Sequence, residues 1–116
     1  MTSIGMDQAM AQLRAVLHEA FEGPPERWSY FTDNAPDAGW FGTLDGITAA
    51  EASRVVAGTT IAAHVHHATF ALDASTAWIR REWTPRNWRE SWRVQAVAET
   101  QWQALVAELR ARYDTL

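Results

Sequence analysis

Between residues 59 and 82 the chain reads TTIAAHVHHATFALDASTAWIRRE, its longest uninterrupted helical pattern. Thr59 or Thr60 can cap the start, Gly58 can close the preceding turn in left-handed geometry, and no proline or glycine follows before residue 83. At about 100° per residue, Ile61, Val65, Ala68, Leu72 and Ile79 fall on one stripe, which is expected to be buried; His66, Asp73 and Arg80 gather opposite, toward water. His64 lies within the apolar stripe. His67 lies on its flank beside Ala71, Ala74 and Trp78, one turn on and roughly 60° around the axis.

Two further helices follow from the same periodicity. Residues 4–21 place Met6, Met10, Leu13, Val16, Leu17, Ala20 and Phe21 at spacings of three and four, with His18 on the solvated face, until Gly23-Pro24-Pro25 stops the pattern. Residues 96–113 align Val97, Trp102, Leu105, Val106, Leu109 and Tyr113, leaving Glu99, Glu108, Arg110 and Arg112 to water. Between them, Thr48-Ala49-Ala50-Glu51 has the spacing of a capping box and opens a short helix to about residue 57. No segment reads as a strand, so the pattern defines an all-α bundle in one domain, residues 1–116.

Residues 26–46 read as loop, punctuated by Pro36, Gly39, Gly42 and Gly46, yet they hold Trp28, Tyr30, Phe31, Trp40 and Phe41. Apolar rings left in water are unfavourable, so the loop is expected to fold over one end of the bundle, either plugging the core or lining a pocket. Residues 83–93 alternate rings and guanidinium groups through Trp83, Arg86, Trp88, Arg89, Trp92 and Arg93. Such a stretch can bind single-stranded nucleic acid. A core closed by tryptophans with arginines laid over them is the better reading, because the net charge of −4 offers no electrostatic footprint; no nucleic-acid partner is expected.

Composition removes several chemistries. The chain has no cysteine, so disulfides, thiolate ligands and thiol nucleophiles are excluded, in keeping with a reducing cytoplasm. All ten basic residues are arginine, which excludes a Schiff-base lysine. No basic leader with a hydrophobic core and no apolar run of about 18 residues is present, so no membrane partner is expected. GxSxG, GxxxxGK and GxGxxG are absent. The histidines stay. His64 and His67 can be neutral core residues held by hydrogen bonds, or ligands of a divalent metal.

AGWFGTLDGITAAEAS, TTIAAHVHH, NWRESW and ETQWQALVAELRARY, in that order, resemble the DinB/YfiT-like superfamily from about Ala38 onward. The resemblance implies a four-helix bundle, often a homodimer, with zinc or nickel held by three histidines; some relatives are thiol-dependent transferases or isomerases. The family's first ligand stands seven residues after the threonine that opens its second long helix, which from Thr60 is His67. The other two form an HxxxH motif on a fourth helix, and no HxxxH occurs here. A fragment, a site completed across a dimer, or a fold that has lost its chemistry would each account for that. What is expected is a metal-dependent hydrolase or thiol-dependent transferase. It would activate water or a low-molecular-weight thiol for a small-molecule substrate, with His67 as ligand, His64 as second ligand or its hydrogen-bond partner, and Trp78, Trp40 and Phe41 walling the pocket. The alternative is a catalytically silent bundle that dimerises or binds a small ligand. Three helices in place of four would leave an apolar groove, which favours self-association.

Overall fold

The computed structural model describes residues 5–24 and 38–116, apart from the side chain of Met6. The expectations placed on Ile4, Trp28, Tyr30 and Phe31 lie outside the described residues. The chain forms two compact units, residues 1–46 and 47–116. All described regular structure is helical, apart from one isolated bridge between Val56 and Thr59. No helix among the described residues is long and apolar enough to cross a membrane.

The first unit holds α1 (Met6–Glu22) and α2 (Trp40–Asp45). Gly23 ends α1 at φ 92°, a left-handed conformation that glycine adopts without penalty, and its N–H donates to Glu19 O at 2.9 Å. Gly39 runs against the backbone of Phe21, Glu22 and Gly23 so closely that any Cβ would overlap it. That contact starts α2, a helix where the pattern suggested loop throughout. Of the stripe expected to be buried on α1, Met10, Leu13 and Val16 are exposed and Phe21 is buried. His18 sits on the open face and pairs with Glu22 one turn later, at 2.9 Å.

The second unit holds α3 (Ala49–Ala52), α4 (Ile61–Ile79), a 3-10 helix (Trp88–Trp92) and α5 (Glu99–Thr115). The capping box forms as expected: the Thr48 hydroxyl accepts from Glu51 N, and Glu51 Oε1 accepts from Thr48 N. The Thr48 N–H and the Thr48 hydroxyl, both donating to Glu51 Oε1, hold the Glu51 carboxyl below its ordinary pKa. Ala57 and Gly58, at φ 54° and 80°, make a tight reversal closed by two hydrogen bonds between Val56 and Thr59. Thr60 then caps α4. Its hydroxyl accepts from Ala63 N and donates to Gln95 O at 2.6 Å, tying the start of α4 to the strap before α5.

α4 is the axis of this unit, packed on α3, the 3-10 helix and, most extensively, α5. Its buried positions are Ala62, Ala63, Val65, Thr69, Leu72, Ala74 and Ala77. The expected face is therefore displaced by roughly a quarter turn. Ile61 and Ile79, meant for the core, are 39% and 69% exposed. His66 and Asp73, meant for water, lie near the centre of the packed face and are half-buried. Small residues let α5 approach closely, and the polar side chains among them are matched. Asp73 takes Arg86 at 2.7 Å and Arg112 at 3.5 Å, while Trp102 of α5 is buried and donates its indole N–H to Ile47 O at 2.8 Å.

Candidate functional site

Asn87 begins the 3-10 helix by accepting from Arg89 N. The turn brings Trp88, Ser91 and Trp92 onto α4, where they meet all three of its histidines. Ser91, fully buried, organises the junction. Its carbonyl faces His66 Nδ1 at 2.7 Å, its Oγ faces His67 Nδ1 at 2.8 Å, and its hydroxyl donates to Trp88 O at 2.5 Å.

Proton counting assigns both tautomers. A carbonyl only accepts, so His66 Nδ1 carries the proton it shares with Ser91 O. The single hydroxyl proton of Ser91 is committed to Trp88 O, so His67 Nδ1 must donate as well. In the neutral rings both Nε2 atoms therefore present a lone pair, unbonded and reached by solvent. This polarity also excludes a serine nucleophile: a catalytic base would accept the serine's proton, whereas here histidine donates to a hydroxyl with no exposed surface.

The rings form a continuous chain. His67 stacks on Trp92, with centroids 4.0 Å apart and planes 10° from parallel. His64 meets Trp92 edge-on at 5.1 Å, Trp88 lies 6.2 Å from His67, and Trp88 touches Phe70 at 5.0 Å and Trp78 at 6.1 Å. Burial under these indoles, reinforced by the neighbouring His64 and His66, pushes the His67 pKa below its ordinary value. The face is nevertheless open, with Trp78, Trp88 and Trp92 exposed by 44%, 39% and 39%. Arg86 lies over Phe70 at 6.0 Å. Trp83, Trp88 and Trp92, expected to close a core under arginines, are instead exposed.

The expected site residues divide as follows. His67 is half-buried under indole, but His64, expected to be the more central of the two, is exposed and faces only the edge of Trp92. His66 is engaged rather than solvated. Trp78 belongs to the aromatic face. Trp40 and Phe41 lie in the first unit, where both pack on Phe21 at 5.5 and 5.7 Å. Ser91 was not anticipated; its only sequence signal is its place three residues after Trp88, within the turn that Asn87 opens.

A catalytic divalent-metal centre needs about three protein ligands and an open position. Among the described residues no group of three histidine and carboxylate side chains is placed to hold an ion. His64 and His67 supply two donors from one helix and do not fit the three-histidine centre that the family resemblance implies. No family model matches the chain, and neither the curated proteins nor the solved structures contain a significant match.

Proposed function

We propose that this chain is a helical binding module that self-associates through the tryptophan–histidine face of α4 and the 3-10 helix, without metal-dependent catalysis of its own. The observation that carries this reading is the open row of rings from His64 through Trp92, His67 and Trp88 to Trp78. Tryptophan offers on the order of 250 Å² of surface, so the three indoles expose roughly 300 Å² between them. Ile79 and Trp83, next along the chain, are 69% and 70% exposed. A contiguous aromatic patch of about 300 Å² is of the size that often marks an interaction site. A bundle of the DinB-like kind, completed by a second copy, accords with it.

Light scattering and elemental analysis of untagged protein test the reading together. The expected result is a dimer mass at micromolar concentration with no stoichiometric metal. A monomer mass would overturn self-association. A stoichiometric metal that His67→Gln removes would restore the metal-dependent hydrolase or transferase reading, with the third ligand contributed by a residue outside the described set.

A further inference from the structure

A second feature of the 47–116 unit lies beyond the aromatic row. A cleft of about 280 Å³ opens at the start of α4, lined by the apolar Ile47, Val56 and Ile61, by the charged Glu51 and Arg54, and by His64. Its volume is at the lower limit of small-molecule sites, and its mixture of apolar lining and few polar groups is their usual composition.

The two charges are of opposite sign, and their present bonding leaves both able to act. Glu51 accepts from Thr48 through Oε1 alone, and its carboxyl is held ionised by those bonds. Among the described residues Arg54 has no side-chain hydrogen-bond or ion-pair partner, its guanidinium only lying near enough to Glu51 to act through its charge. A simple carboxylate in this cleft would meet Glu51 unfavourably, and a simple amine would meet Arg54 so. A zwitterion satisfies both. Val56 and Ile61, 65% and 39% exposed, then offer apolar surface for a hydrocarbon side chain.

We infer that this cleft binds a small apolar α-amino acid, its carboxylate on Arg54, its ammonium on Glu51 and its side chain over Ile47, Val56 and Ile61. Charge-assisted bonds to both ends give the orientation, and the hydrocarbon supplies the apolar burial. His64, part of the lining, meets Trp92 edge-on at 5.1 Å, which makes the indole a reporter of occupancy.

The test is titration of the full chain with L-leucine, followed by amide chemical shifts and indole emission. 4-Methylpentanoate and isoamylamine serve as probes that each lack one charge. Saturable shifts confined to residues around Arg54, Ile61 and His64 are expected for leucine, with each single-charge probe at least about tenfold weaker, as loss of a charge-assisted contact requires. Arg54→Gln should weaken leucine by a similar factor while leaving the circular dichroism spectrum unchanged, since Arg54 packs in no core. Absence of saturable shifts, equal affinity for the three probes, or an unaltered Arg54→Gln affinity would each overturn the assignment.

Discussion

α4 is gripped from two sides, and its two seams are built on different chemistry. Against α5 the contact is alanine and threonine on one helix and Trp102 and Leu109 on the other, all closed to solvent. Against the 3-10 helix it is imidazole on indole, held by the hydroxyl and carbonyl of one serine and open to water along its length. Two tryptophans make the contrast concrete. Trp102 is 2% exposed with its indole N–H satisfied by Ile47 O; Trp92 is 39% exposed and covers a histidine. Tryptophan buried on all sides stabilises the fold, whereas tryptophan left half in water on a polar platform has the character of recognition surfaces. The first seam holds the unit together, and the second is the one proposed to take a partner.

The largest break in that comparison comes from Trp102→Ala, which should cost about 3–5 kcal/mol by urea denaturation because it leaves a cavity and an unpaired carbonyl. A loss below about 1 kcal/mol would deny that the α4–α5 seam is the core. Ser91→Ala comes next. It strips the buried acceptor from His67 Nδ1–H and a donor from Trp88 O, and should cost about 1–3 kcal/mol while releasing the Nδ1–H tautomer seen in imidazole ¹⁵N spectra.

The pH response sharpens the contrast further. Because burial lowers the His67 pKa, the unfolded chain binds a proton that the folded ring refuses below the ordinary histidine value of 6.5. Stability is therefore complete above that value and declines as pH falls from it toward the lowered folded pKa. Urea midpoints at pH 7.5 and 5.5 should differ less in His67→Gln than in the parent chain. An undiminished difference would place the proton uptake elsewhere.

Trp92→Ala should cost about 1–2 kcal/mol, less than Trp102→Ala, since 39% of the residue already lies in water. The smallest effect touches neither seam. Ala57 adopts φ 54° where asparagine is at ease, so Ala57→Asn should raise stability by about 0.5–1 kcal/mol.

The starts of α3 and α4 could be read from the chain because their signals are local: Thr48 with Glu51, Thr60 before an unbroken run, and the left-handed turn at Gly58 each act within a few residues, although α3, expected to reach about residue 57, ends at Ala52. The face that α4 turns inward could not. Hydropathy ranks Ile61 and Ile79 above Ala62, Thr69 and Ala77, but burial follows the closeness that small side chains permit, and α5 settles on the alanines. His66 was misplaced for the same reason, since a rotation of about 100° moves it from the outside of the helix to its packed side. The candidate site was legible only in its histidines. Ser91, which aligns two of them, binds across 24 and 25 residues of chain, and no local pattern encodes where the 3-10 helix will lie.

Sedimentation equilibrium of the parent chain beside the Trp88→Ala/Trp92→Ala double variant decides whether the face containing Trp88 and Trp92 joins two copies, as proposed. The parent is expected to be a micromolar dimer and the variant a monomer with unchanged helical content. A parent that sediments as a monomer, or a variant that still dimerises with the same affinity, would contradict it.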